Sequence, residues 1–216
     1  MLKIKLGHLL ASRKRIKMKN YLCINGKKTE LTKEQMKQLG IIQPVATLSE
    51  DGKTATIGEY EFIVLNSNPC GTVELLLKGK LGKDTVFGDN NDFRKSKVKG
   101  ILDDFAEKIA KLVGAENVIE HNVDLISLDG LDDYGVTRAK MSLLTLAKYQ
   151  QYVGKLDECK LDDYWWLVTP WSTPTHGYES SVICVAPSGY LNFHFSIFNF
   201  VGVRPFCVLK SCIFES

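Results

Sequence analysis

The sequence predicts an α+β protein with two helices and an irregular, loop-rich antiparallel sheet, preceded by a small N-terminal extension. Three observations predict it. Short β-prone apolar segments recur between turn signals. One long segment carries apolar residues at helical spacing between a capping serine and a glycine. The last third is rich in strand and turn signals. At 216 residues, 44% hydrophobic and 25% charged, the chain has the ordinary balance of a globular protein and enough length for a real core.

Taken in order, residues 1–20 form a basic arm. Lys3, Lys5, Arg13, Lys14, Arg15, Lys17 and Lys19 give it seven positive charges and no acid, which leaves 21 basic and 25 acidic residues, net −4, for the rest. A basic arm on an acidic body suits an anionic partner. The preferred reading is a disordered tail, made incidental if Met18 is a second start, and nucleic acid is not the expected partner. Leu6–Ala11 is too short for a signal-peptide core, and Arg13-Lys14-Arg15 replaces a small-residue cleavage site. The chain is therefore expected to be made in the cytoplasm, with no membrane span. Residues 21–44 read as a small module. Tyr21–Ile24 and Lys27–Glu30 are strands about an Asn25-Gly26 turn. Thr32-Lys33-Glu34-Gln35 is a capping box that opens a short helix ending before Gly40, and Pro44 lies near the boundary with the next unit.

From residue 45 onward, Tyr60–Leu65 and Val73–Leu77 read as a hairpin. Gly79–Phe93 reads as a solvated loop, since its Asp-Asn-Asn-Asp run lacks the spacing of the helix-loop-helix calcium motif. Ser96 caps a helix carrying Val98, Ile101, Leu102, Phe105, Ile109, Leu112 and Val113 on one face and ending at Gly114. Val123–Leu128 is an expected strand. Leu143–Tyr152 is a shorter helix, or a strand running into one, that shows Leu146, Tyr149 and Tyr152 on one side. Val182–Ala186 and Tyr190–Ile197 flank a Pro187-Ser188-Gly189 turn, and Val203–Leu209 is the last strand.

The segment between Trp165-Trp166 and Gly202-Val203-Arg204-Pro205 has an unusual composition. From Trp171 to Val203 the only formal charge is Glu179. The same stretch holds Trp171, Tyr178, Tyr190, Phe193, Phe195, Phe198 and Phe200, interleaved with Ser172, Thr173, Thr175, His176, Ser180, Asn192, His194, Ser196 and Asn199. Rigid rings among small polar groups give contact area at low entropy cost. On a strand, Phe193 and Phe195 share one face, while Phe198 and Phe200 have the opposite parity. Either the strand breaks near Ser196-Ile197 or aromatics occupy both faces, with one pair packed inward and the other exposed.

Trp165-Trp166-Leu167-Val168-Thr169-Pro170 and Gly202-Val203-Arg204-Pro205 resemble the Trp-Trp-Leu-Arg-Ser-Pro and Gly-Val-Arg-Pro motifs of the variable proteins of diversity-generating retroelements. These are C-type lectin-fold domains of gut bacteria and phages, distantly related to formylglycine-generating enzymes. Ser188-Gly189 stands at the family's Asp-Gly turn, Gly58–Leu65 at its opening strand and Asn91–Phe105 at its first helix. The resemblance implies a C-type lectin-like domain over 45–216 with a variable segment at about 171–201. In that family an error-prone reverse transcriptase rewrites adenine-containing codons while the scaffold stays fixed, and the product binds a protein or cell-surface ligand, in some members from a virion. Every residue from Asn192 to Phe200 lies in the set reachable from an Asn codon by adenine mutation, as do Ser172, Thr173, Thr175, His176, Tyr178 and Ser180.

Trp165, Trp166, Gly202 and Arg204 read as the frame. Arg204 is expected to brace loops through a carbonyl or a carboxylate, with Asp162 and Asp163 the candidate carboxylates. Val168 and Thr169 replace the family's Arg and Ser, which puts local packing in question. Neither the Glu-Pro-Asn nor the Trp-Asn-Asp calcium motif is present, and no zinc spacing occurs, so no metal and no cofactor are expected. The cysteines read as reduced thiols. Cys207 and Cys212, the close pair an oxidase-like enzyme would need, fall on opposite strand faces by their odd separation, so the protein is not expected to be an enzyme. The remaining alternative is a structural or oligomerisation module in which the aromatic face joins subunits.

Overall fold

The computed structural model describes residues 21–24, 27–32, 35 and 45–214. The chain divides into two compact units, Met1–Pro44 and Val45–Ser216. In the first, β1 (Tyr21–Ile24) pairs antiparallel with β2 (Lys27–Glu30), Tyr21 opposite Glu30. Thr32 N–H donates to Gln35 Oε1 at 3.0 Å and Gln35 N–H to Thr32 Oγ1 at 3.2 Å, the reciprocal bonds of a capping box. The basic arm, the Asn25-Gly26 turn and the rest of the expected helix lie outside the described residues.

The second unit is α+β, with antiparallel sheets and two α-helices among the described residues. Its main sheet contains β3 (Ala46–Leu48), β4 (Thr54–Ile57), β5 (Tyr60–Asn68), β6 (Thr72–Leu77), β7 (Val118–Ile119), β10 (Met141–Ser142) and β14 (Phe206–Lys210), in the order β10-β14-β6-β5-β4-β3 with β7 also on β14. A pair of strands, β8 (His121–Asp124) and β9 (Val136–Ala139), stands apart. The third sheet is β11 (Trp165–Pro170), β12 (Ser181–Val185) and β13 (Leu191–Phe195).

Both faces of the main sheet are buried, which explains unbroken apolar runs such as Phe62–Leu65. Alternate residues of a strand face opposite ways. Phe62 and Val64 join one core with Leu75, Leu77, Trp166, Val168, Val182 and Cys184. Ile63 and Leu65 join a second with Leu76, Trp165, Leu167, Ile183, Val185 and Phe206. Helix α1 (Lys97–Val113) adds Val98, Leu102, Phe105, Ala106 and Ile109 to the first core. Helix α2 (Leu146–Leu156) adds Tyr149, Tyr152 and Leu156 to the second.

Local chemistry sets the helix ends. Ser96 Oγ accepts from Lys99 N–H at 3.0 Å, and Gly114, at φ +96°, ends α1. Thr145 Oγ1 accepts from Lys148 N–H at 3.1 Å at the start of α2. Thr169 Oγ1 takes Leu146 N–H at 2.9 Å, and Val168 is fully buried. Val168 and Thr169, whose packing the sequence left in question, are thus well packed, and Thr169 satisfies a helix-end donor.

Three expectations need correction. The strand expected at Val123–Leu128 stops at Asp124, whose carboxylate takes Ile126 N–H at 2.9 Å and turns the chain out of its ladder. The last strand begins at Phe206, because Gly202 bridges to Trp165 and Pro205 has no N–H to donate. The loop before α1 is not wholly solvated, since Thr85, Phe87, Asn91 and Asp92 are buried within it.

Candidate ligand-binding face

The frame is buried, and Trp166, Gly202 and Arg204 are hydrogen-bonded within it. Trp166 Nε1–H donates to Thr85 O at 3.1 Å, and its ring meets Phe87 edge-on. Gly202 N–H donates to Tyr164 O at 2.8 Å, and Trp166 N–H to Gly202 O at 3.0 Å. The Arg204 guanidinium lies 5.1 Å from the Trp165 ring centroid. It donates to Leu77 O at 2.8 Å, Lys78 O at 3.0 Å and Cys159 O at 3.2 Å. Its acceptors are therefore carbonyls. Asp163 instead holds Lys80, and Asp162 is exposed. Burial pulls the Arg204 pKa down to about 10.

Between the two halves of the frame, a few buried groups fix the variable segment. Asn91, fully buried in the loop before α1, donates through Nδ2 to Ser172 O at 2.8 Å and Ser181 O at 2.9 Å, and accepts from Tyr134 O–H at 2.7 Å. Asp129 accepts from Ser127 Oγ at 2.5 Å and Ser172 Oγ at 2.6 Å, and lies 2.8 Å from His176 Nδ1. The hydroxyls of Ser127 and Ser172, with the His176 ring, hold its carboxyl at about 2. Sequence reasoning missed both Asn91 and Asp129. The Asp-Asn-Asn-Asp run was the only signal for the former, and it reads equally well as a solvated loop.

Three expected contact residues are not at the surface. Ser172 and Ser196 are almost wholly buried and Thr173 completely so. Ser172 faces Asp129. Thr173 closes the turn below it, its carbonyl accepting from His176 and Tyr178 N–H. Ser196 N–H donates to Ser180 O at 2.7 Å, while its carbonyl takes Phe87 N–H at 2.7 Å. These residues fix the segment and do not present it.

The others are presented. Thr175, His176, Ser180, Asn192 and Asn199 are exposed. Trp171 is 37% exposed, Tyr178 64%, Tyr190 78%, Phe193 44%, Phe195 50% and Phe200 45%. Phe198 and His194 are half-buried. The strand ends at Phe195, where a turn closes with Phe198 N–H on Phe195 O at 2.9 Å. That is the break expected near Ser196-Ile197, but neither aromatic pair packs inward. Leu191 and Ile197 are exposed as well and were not among the expected contacts. Alternation puts Leu191 on the face of Phe193, which was a usable signal.

The rings form two groups. On one face Trp171 stacks on Phe193 with centroids 4.2 Å apart. Around the other, Tyr164, His194, Phe200, Phe198 and Phe195 follow one another at 4.9, 5.0, 5.3 and 5.4 Å. His194 Nε2 is enclosed among them with no hydrogen-bond partner among the described residues, and burial lowers its pKa. Such a surface can bury apolar groups and exchange neutral hydrogen bonds.

Cys207 and Cys212 take no part in it. Cys207 is buried in β14, its pKa pushed up to about 12, and Cys212 is exposed beyond the strand end. Among the described residues no three His, Cys, Asp or Glu side chains converge as metal ligands would, and no helix is long and apolar enough to cross a membrane. No protein-family model, curated protein or solved structure matches the chain.

Proposed function

We propose that the chain is a ligand- or receptor-binding protein with a C-type lectin-like second unit, whose face between Trp171 and Phe200 is rewritten by a diversity-generating retroelement. The observation that supports this most is the contrast in burial along one segment. The frame residues Trp165, Trp166 and Arg204 are buried, the last two with their side chains hydrogen-bonded, while most of the rings between them are exposed. That arrangement lets side chains on the face change without disturbing the core. The anchors support the same reading, because Asn91 grips the carbonyls of Ser172 and Ser181, which any residue would supply. Binding is by contact: rings cover apolar surface, and Asn192, Asn199, His176 and Ser180 hydrogen-bond to neutral polar groups.

Peptide and glycan arrays probed with the full chain test this. Wild type is expected to give discrete hits that disappear when Trp171, Phe193, Phe195 and Phe200 are all changed to Ser. Hits that survive in that variant would sink the reading. Diversification is tested in the flanking DNA, where a near-identical template repeat should differ from the coding copy at template adenines alone.

A further inference from the structure

β13 is the end strand of its sheet and bonds to β12 on one side only. Ala186 N–H donates to Tyr190 O at 2.9 Å and Ser196 N–H to Ser180 O at 2.7 Å. These are hydrogen-bonded pairs of the ladder that also sets His194 opposite Val182 and Asn192 opposite Cys184. Backbone groups alternate in direction along an antiparallel strand. Asn192 and His194 therefore turn theirs toward β12, while Leu191, Phe193 and Phe195 turn theirs outward. Natural edges are blunted with Lys, Pro or a bulge. Tyr190–Ile197 contains neither residue, and the β12–β13 register is unbroken. The cover present is slight: Asn192 Oδ1 takes Phe193 N–H at 2.8 Å, and Phe195 O accepts Phe198 N–H with one lone pair to spare.

We propose that this edge pairs with the same edge of a second copy of the chain, antiparallel about a two-fold axis at Phe193. The strand is complementary to itself in this register. Phe193 meets Phe193, Leu191 meets the second copy's Phe195, and Asn192 meets the second copy's His194. Rings lie opposite rings or Leu, an amide lies opposite an imidazole, and no like charges face each other. It is also the register that pairs every outward residue of both strands. Asn192 releases Phe193 N–H to the second copy's carbonyl, which frees its amide for the His194 side of the interface. The closed two-fold contact joins the two three-stranded sheets into one and sets the two Trp171–Phe193 stacks side by side. The pairing uses the backbone edge, so it stands or falls apart from the ring faces assigned to ligand. A contact of this extent lies at the low end of stable interfaces, ~1,000 Å² in total, so association is expected in the micromolar range.

Sedimentation equilibrium of the full chain, from low micromolar upward, tests the proposal. Wild type is expected to follow a monomer–dimer isotherm. Phe193→Lys sets two like charges across the axis and should weaken association at least about ten-fold, as should Phe193→Glu. An equimolar mixture of the two variants should regain the dimer, because a residue faces itself only on the axis. Asp104→Ser, exposed on α1 and away from both the edge and the ring face, should leave the association unchanged. Position 193 is at the surface, so both variants should keep the wild-type circular dichroism and, well below the micromolar range where wild type is also monomeric, melt within a few degrees of it. A wild type monomeric throughout overturns the pairing, and array hits by that monomer would leave the binding face standing. A dimer undiminished in both variants, or a mixture no stronger than either alone, overturns it as well.

Discussion

β12 and β13 are five residues each, adjacent in one antiparallel sheet, and both largely apolar or aromatic. All five residues of β12 are buried. On β13, Leu191, Asn192, Phe193 and Phe195 are exposed. Composition does not separate the strands; their surroundings do. β12 has a ladder on each side, and its side chains enter the α1 core through Val182 and Cys184 and the α2 core through Ile183 and Val185. β13 has one ladder, and none of its residues belongs to either core. Apolar character thus supports stability in one strand and is free to serve recognition in the next.

The largest expected effect lies on the interior side, in β11, on which β12 pairs. Trp166→Ala removes a fully buried indole, its bond to Thr85 O and its contact with Phe87. Loss of about 3–5 kcal/mol is expected, measured by denaturant unfolding. A loss below about 1 kcal/mol would mean that the frame is not what holds the sheet.

Asn91→Ala comes next. It strands the Ser172 carbonyl and the Tyr134 hydroxyl, while the Ser181 carbonyl keeps Trp171 N–H at 3.0 Å, and should cost about 2–3 kcal/mol. The damage should be local, with faster amide exchange around Ser172 and Ser181 and little change in α1. Uniform loosening would show that the segment is not separately anchored.

How legible all this is in the sequence depends on the range of the interaction. Helix α1 is written locally, in Ser96, an apolar stripe and Gly114, and it lies where the pattern puts it. The β12–β13 hairpin is likewise local. Asn91 meets carbonyls 81 and 90 residues away, and the Asp-Asn-Asn-Asp run around it does not say which. Arg204 finds carbonyl oxygens, which every residue carries, so no side chain could mark its acceptors. Neither aromatic pair packs inward for a related reason: alternation buries a face only where something covers it, and whether a strand has such a cover depends on topology.

A smaller effect depends on pH. Asp129 titrates at about 2 when folded and at 3.8 free of the fold. With the folded value depressed, the contribution is complete above 3.8 and is lost as pH falls toward 2. Amide resonances of Gly177 and Tyr178 should shift across that window as the Ser172 and His176 contacts are released. Asp129→Asn should remove the part of the transition that follows the Ser172 and His176 contacts, leave what Asp133 contributes through Thr175 N–H, and leave the frame unchanged.

The smallest effect is the most telling, because it sets the two strands against each other at one cross-strand pair. Ile183 on β12 lies opposite Phe193 on β13. Ile183 is 3% exposed and belongs to the α2 core. Truncating it to Ser opens a cavity and buries a hydroxyl, for an expected loss of about 3–5 kcal/mol. Phe193 is the larger residue and is 44% exposed, stacked on a Trp171 that is itself exposed. Phe193→Ser therefore forfeits a solvent-facing ring contact and little else, about 1 kcal/mol or less. Melting curves of the two single variants measure the difference directly. Were Phe193→Ser to cost as much as Ile183→Ser, the ring would be part of the core, and the face could not vary on a fixed frame. If it costs little, the chain carries large rings where the fold does not need them, and their use must be sought in what they touch outside it.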